Sequence, residues 1–210
     1  MKNKYQFEAL VNQIFKDIDC LGGRVFLVGG IVRDMLMYGH VDYHDVDVEI
    51  YDLNIDDLQQ ILGKYGKVNL VGKSFGILKL DKLPNYDFAL PRIERKNGLG
   101  HQGFEVTVNE HLDLKTASSR RDFTINAIMY EVKTGKIYDF YHGIDDINKR
   151  TIRMVNASSF AEDPLRVLRA AQFASRFDYY IDPNTKASCK KMVQEKLLDT
   201  LSNERIFQEY

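Results

Sequence analysis

Acidic and apolar residues alternate at Asp45-Val-Asp47-Val-Glu49, shortly after the glycine pair Gly29-Gly30. A two-residue period is that of a β-strand, so Asp45, Asp47 and Glu49 point to one face while Val46, Val48 and Ile50 point to the other. Like charges at neighbouring same-face positions repel. A fold accommodates them either on a solvated edge strand or with a cation held between them. Oxygen-only ligands on a rigid strand suit Mg²⁺, which makes Asp45 and Asp47 the candidate metal ligands. Asp87, in Tyr86-Asp-Phe-Ala-Leu90, points away from Tyr86 and Phe88. It reads either as a further carboxylate from a neighbouring strand or as an ordinary exposed strand aspartate.

The glycine pair lies in Leu27-Val-Gly29-Gly30-Ile-Val-Arg33-Asp34, between a buried strand and a helix. Backbone N–H groups at such a turn, with the helix N-terminus behind them, form a pocket for phosphate, and Arg33 stands one helical turn on. A glycine pair is also simply a turn. It lacks both the G-x-G-x-x-G dinucleotide fingerprint and the G-K-[ST] of a P-loop. A phosphate turn followed by a two-carboxylate strand is what metal-assisted phosphoryl transfer requires.

Two more constellations follow. In Arg120-Arg121-Asp122-Phe-Thr-Ile-Asn-Ala127 the arginines are either a solvated basic edge or, fixed by the cap-type Asp122, a contact from Arg121 to a triphosphate or base. In Glu162-Asp163-Pro-Leu-Arg166-Val-Leu-Arg169, Arg166 and Arg169 share a helix face. One reading makes Asp163 an N-cap and pairs Glu162 with Arg166. The other sets an aspartate acceptor beside an arginine donor to read a base edge. Cytosine and adenine each present an exocyclic amine beside a ring-nitrogen acceptor, whereas uracil and guanine present the reverse, so such a pair fits C and A.

The elements that must position these groups are legible in outline. The spacing predicts an amphipathic helix from about residue 4 to 19, a buried strand at Arg24–Val28, a helix from Ile31 to about Tyr38, and a helix capped by Asp56 and Asp57. Strands are predicted at Lys67–Val71, Gly76–Leu80 and Tyr86–Arg92, then a mobile polar loop from Ile93 to Gly103. A short helix follows Asp122, and a hairpin pairs Ile128–Val132 with Lys136–Phe140. From Phe160 on the pattern is helical, with Asp163-Pro164 and Asp182-Pro183 as helix starts. This predicts an α+β protein: a head over residues 1–155 with a mixed sheet flanked by helices, and a small helical neck over 156–210. The last residues, from Ser202, read as a capped helix that has only begun, as in a chain cut from something longer. With 210 residues, 44% hydrophobic and 28% charged, and a formal net charge of −1, the chain has the composition of an ordinary globular protein. Cys20 and Cys189 have no metal-type spacing and read as reduced thiols. No apolar run is long enough to span a bilayer, and the expected setting is cytoplasmic.

In this order and spacing, Leu-Val-Gly-Gly-Ile-Val-Arg-Asp, Asp45-Val-Asp47, Arg-Arg-Asp-Phe-Thr-Ile-Asn-Ala, Tyr-His-Gly-Ile-Asp-Asp-Ile and Glu-Asp-Pro-Leu-Arg-Val-Leu-Arg resemble the class II, bacterial-type tRNA nucleotidyltransferase and poly(A) polymerase family, within the DNA polymerase beta-like superfamily. The resemblance runs from about Arg24 to Phe177. It implies a Mg²⁺-dependent RNA nucleotidyltransferase that adds C and A to the 3′ end of tRNA from CTP and ATP. By the same resemblance Asp45 and Asp47 bind magnesium, and Gly30, with Gly29 beside it, and Arg33 hold the triphosphate. Arg121 contacts the nucleotide, Asp163 and Arg166 select C and A, and Arg169 assists them. The stretch 92–104 matches the family's flexible segment. An arginine often found one turn after Arg169 is Gln172 here. The alternatives are a poly(A) polymerase, a relative adding only A or only CC, and a non-catalytic RNA- or nucleotide-binding head.

Overall fold

In the computed structural model, which describes residues 6–71, 76–96 and 104–209, helix α1 (Ala9–Cys20) leads through a turn into the buried strand β1 (Arg24–Val28). Val11, Ile14, Phe15 and Ile18 form the buried stripe of α1. The helix begins at Ala9 rather than near residue 4. Phe7 lies ahead of it and meets Phe15 edge-on at 5.1 Å. Residues 1–5, where the predicted start fell, are outside the described residues.

After Gly29 come α2 (Gly30–Tyr38), β2 (Val46–Tyr51) and α3 (Ile55–Gly63). The cap of α3 is Asn54, whose side chain accepts from the Asp57 N–H at 2.9 Å. Asp56 and Asp57 instead occupy its first turn, where the helix dipole favours them. Strands β3 (Val68–Val71), β4 (Ile77–Leu80) and β5 (Leu83–Ala89) follow, and the predicted strand at Tyr86–Arg92 therefore starts earlier and stops before Arg92. β6 (Arg92–Lys96) and β7 (Phe104–Val108) form a separate two-stranded sheet, so the first part of the expected loop is strand. Residues 97–103 of that stretch lie outside the described residues. Helix α4 (Leu114–Ser119), β8 (Met129–Glu131) and β9 (Ile137–Tyr138) follow, β8 and β9 forming the predicted hairpin.

The seven-stranded sheet has the order β3-β4-β5-β2-β1-β8-β9. It is mixed, because β2 pairs with β5 in parallel and with β1 antiparallel. The acidic strand is thus an interior strand, not an edge. Val46, Val48 and Ile50 are fully or almost fully buried on its apolar face. Each contributes about 1.5–3 kcal/mol, which outweighs the fraction of a kcal/mol that a half-exposed like-charge neighbour costs. The opposite face of β1 and β2 packs Phe26, Val28 and Tyr51 with Ala117 and Met129. Glu49 is buried there and accepts from the Tyr51 hydroxyl at 2.9 Å, so it is a structural acid.

The chain forms two compact units: Met1–Ile93 with Val106–Ala117 and Ile128–Tyr138, and Glu94–Glu105 with Ser118–Ala127 and Asp139–Tyr210. The second contains α5 (Gly143–Asn148), β10 (Thr151–Ile152), α6 (Ala157–Glu162), α7 (Leu165–Phe177), β11 (Tyr180–Ile181), α8 (Pro183–Gln194) and α9 (Asn203–Gln208). Residue 155 lies inside this unit. Its core gathers Phe123, Phe160 and Phe173, with ring centroids 5.8 Å and 5.6 Å from Phe123. Asp182 caps α8 as predicted, accepting from the N–H groups of Asn184 and Thr185 with Pro183 in the first turn. Asp146, buried in the same unit, accepts from the Thr124 hydroxyl at 2.7 Å and from Arg153 at 3.0 Å. Cys20 and Cys189 are both free. Among the described residues no helix is long and apolar enough to cross a membrane.

Candidate active site

In the first unit the site is built at the end of β1. Gly29 has φ 75° and ψ −137°, a conformation open essentially to glycine alone, and it turns the chain from β1 directly into α2. Gly29→Ala is expected to cost about 1–3 kcal/mol of stability, read as a lower denaturant midpoint. Gly30 lies directly under Arg33: a Cβ built on it would meet Arg33 Nη2 at 3.4 Å, an ordinary contact, so the guanidinium lies against the turn. Arg33 is buried, and its Nε donates to Asp34 Oδ1 at 2.7 Å, which fixes the plane of the group. A cation held against the backbone at a helix start is suited to an anionic phosphate chain.

The acids stand beside this turn. Asp47 pairs in register with Val28, the residue before Gly29. On its other side Asp47 pairs with Asp87 of β5, and Asp87 pairs with Lys79 of β4. Lys79, Asp87 and Asp47 therefore form one row across three adjacent strands with their side chains on the same face. Asp47 and Asp87 are half-buried, while Asp45 is exposed in the bend just before β2. Asp87 does point away from the buried Tyr86 and Phe88. Its Oδ1 lies 2.7 Å from Lys79 Nζ. That hydrogen bond, opposed by partial loss of solvent and aided by the charges of Asp87, Asp45 and Asp47, raises the Lys79 pKa above its ordinary 10.5.

Among the described residues no three His, Cys, Asp or Glu side chains are gathered as a ready-made metal cluster. The donor chemistry nevertheless suits a hard cation: the Asp47 carboxylate on an interior strand and the Asp45 carboxylate in the bend before it, with an ammonium ion already drawn to the face of Asp47. Asp45 and Asp47 would hold such an ion.

In the second unit Asp163, Arg166 and Arg169 are each fixed by named partners. Asp163 accepts from Arg205 Nη2 at 2.9 and 3.2 Å and from the Leu165 N–H at 3.1 Å. Helix α7 begins one residue later than predicted, with Pro164 rather than Asp163 at its N-cap position, and Asp163 instead closes α6 and pairs with Arg205 of α9. The Arg166 guanidinium donates to the Ser159 carbonyl at 2.8 Å and the Arg120 carbonyl at 2.6 Å, which sets its plane. Arg169 donates from Nε to Asp122 at 2.8 Å and from Nη1 to Glu209 at 3.1 Å, and lies 4.9 Å over the Phe173 ring. Gln172, in place of the arginine the family resemblance suggested, donates to the Glu209 carbonyl at 2.8 Å and so anchors the end of α9.

Asp122 is the hub. Its carboxylate accepts from its neighbour's Phe123 N–H at 2.7 Å, from Asn126 at 2.9 Å and from Arg169. Burial alone would raise its pKa. The Arg169 charge, the hydrogen bonds from Asn126 and Arg169, and the Arg166 charge overcome that and hold it below the ordinary 3.8. Arg121 is half-exposed, with its N–H on the Ser118 carbonyl.

Sequence reasoning missed Lys79, Arg205 and Glu209. Lys79 had a readable signal: between Leu78 and Leu80 it must lie on the polar face of its strand. Arg205 and Glu209 reach partners 42 and 40 residues away, for which no local spacing exists.

Residues 25–153 match the family model described as the poly(A) polymerase head domain. The CCA-adding enzyme of Actinobacillus succinogenes is 39% identical over 188 residues, covering 88% of this chain and 44% of that protein. A solved complex of a CCA-adding enzyme with CTP superposes with a TM-score of 0.75 at 26% identity, over 97% of this chain and 46% of that one. A tRNA nucleotidyltransferase complexed with a primer tRNA and an incoming ATP analog superposes at 0.73 and 32% identity, over 93% of this chain and 54% of that one. The chain spans less than half the length of the curated relatives it matches.

Proposed function

The chain belongs to the poly(A) polymerase head-domain family, and from that premise we propose that it is a template-independent nucleotidyltransferase adding C and A to the 3′ end of tRNA from CTP and ATP. The observation that carries the chemistry is the register that sets Asp47 and Asp87 in one row beside the Gly29 turn, with Arg33 against Gly30. The proposed division of labour is a catalytic head over residues 1–155 and a nucleotide-selecting neck over 156–210. The proposed setting is the cytoplasm.

In the head, Arg33 and the N–H groups at Gly29 and Gly30 bind the triphosphate and orient its α-phosphorus toward the RNA 3′-hydroxyl. Asp45 and Asp47 would hold Mg²⁺. When bound, divalent ions lower the pKa of the attacking hydroxyl and neutralise the departing pyrophosphate. Asp87 adds negative charge to the same row. The 3′-oxygen displaces pyrophosphate, and no protein nucleophile takes part. In the neck, Asp163 accepts from the exocyclic amine of cytosine or adenine while Arg166 donates to the adjacent ring nitrogen. Arg169 braces them, and Arg121 contacts the nucleotide. The relatives solved with CTP and with a primer tRNA support both substrates.

The test is incubation of the protein with Mg²⁺, each labelled nucleoside triphosphate and a tRNA stripped of its terminal residues. C followed by A is expected. Long A tails indicate a poly(A) polymerase, A alone or CC alone a restricted relative, and no transfer a binding head. Arg166→Met, which removes the side-chain donor, is expected to reduce discrimination of CTP over UTP by about 10-fold or more, as for loss of one base-reading contact, with a smaller fall in maximal rate. Competition between labelled CTP and UTP measures it, and unchanged discrimination would remove Arg166 from base reading.

A further inference from the structure

Lys79 has no place in the scheme above, yet it stands at the end of the carboxylate row. Its backbone is directly opposite Asp87, whose other neighbour in the sheet is Asp47. Its Nζ is 2.7 Å from Asp87 Oδ1, and the two side chains are 40% and 25% exposed. An ion pair this open contributes little to stability, so its position matters more than its strength. The row holds two acids, Asp47 and Asp87, with Asp45 in the bend two residues before Asp47, and Lys79 places one positive charge at its end.

We infer that Lys79 is the resident counter-ion of this row and competes with the divalent ion bound there, so that metal enters fully only as the ammonium gives up Asp87. The inference rests on the reading of Asp45 and Asp47 as metal ligands. The ammonium stays charged throughout; what changes is its partner. Lysine suits such a role because its charge sits on a flexible four-carbon stem. A fixed positive charge near a divalent ion weakens its binding, by an amount that grows as solvent is excluded. The head is therefore expected to hold metal weakly alone and more firmly once a triphosphate adds its own negative charge.

The experiment is titration of Mn²⁺ into the nucleotide-free protein, with free Mn²⁺ followed by electron paramagnetic resonance. Lys79→Met and Lys79→Gln are expected to bind Mn²⁺ about 10-fold more tightly than the wild type, which corresponds to about 1.4 kcal/mol. Lys79→Arg, which keeps the charge, is expected to retain the wild-type affinity. The thermal midpoint of each variant, recorded without metal, confirms that folded protein is being compared. Equal or weaker binding in both neutral variants, with Asp47→Ala still weakening binding in the wild type, would overturn the role of Lys79 alone. Mn²⁺ binding indifferent to Asp47→Ala in the wild type and in Lys79→Met would remove the metal site and the inference together.

Discussion

Asp47→Ala is expected to lower nucleotide incorporation by on the order of 10³-fold or more, with the unfolding midpoint almost unchanged. The two halves of this expectation have separate physical grounds. Asp47 lies in the middle of the row, between Val28, the residue before the Gly29 turn, and Asp87. Removing its carboxylate takes away a ligand for any ion that activates the 3′-hydroxyl. Folding is spared because the strand is held by Val46, Val48 and Ile50 on its other face and by ladders on both sides. Single-turnover incorporation of labelled CTP, beside a thermal melt of the same sample, gives both readings. Near-normal turnover would place the chemistry elsewhere, and a collapsed melt would make Asp47 a structural acid like Glu49.

The second large effect is on stability. Asp122→Ala is expected to destabilise the second unit by about 2–3 kcal/mol, below the usual cost of breaking a buried ion pair because Arg169 is partly exposed and keeps Glu209. Arg169 would lose its 2.8 Å contact, and Phe123 and Asn126 would lose an acceptor. The pH dependence has a definite sign. The folded-state pKa of Asp122 is depressed, so its contribution is fully present above the ordinary 3.8 and is lost as the pH falls through the lower folded value. The gap between wild-type and Asp122→Ala urea midpoints should thus be constant near neutrality and narrow below about pH 4. A constant gap down to acid unfolding would show that the carboxylate is not the ionised partner of Arg169.

Local patterns read this chain well where the physics is local. Alternation alone identified β2 and its two faces, and the Asp182-Pro183 start of α8 needed only capping chemistry. Where neighbours are distant the reading fell short. For the acid strand an edge position stayed open as one of two readings, because nothing in its own residues records that β1 and β5 flank it. Residues 93–96 read as loop because three of the four are charged, yet pairing with β7 supplies the hydrogen bonds that propensity did not promise. The cap of α3 fell to Asn54 rather than the aspartates beyond it, since a cap must precede the first turn. Asp122 read as a cap, and only the return of α7 on to it reveals the ion pair with Arg169.

The interleaving of the two units has a practical consequence for protein engineering. The chain contributes Ser118–Ala127 to the second unit before returning to the first for Ile128–Tyr138. A graft joined at residue 155 would carry α6 to α9 without Phe123, Asp122 or the Arg120 carbonyl, stripping the transplanted part of its central aromatic and its buried anion. A chimaera that exchanges the whole second unit between relatives must therefore swap residues 94–105 and 118–127 together with 139–210, as one discontinuous cassette.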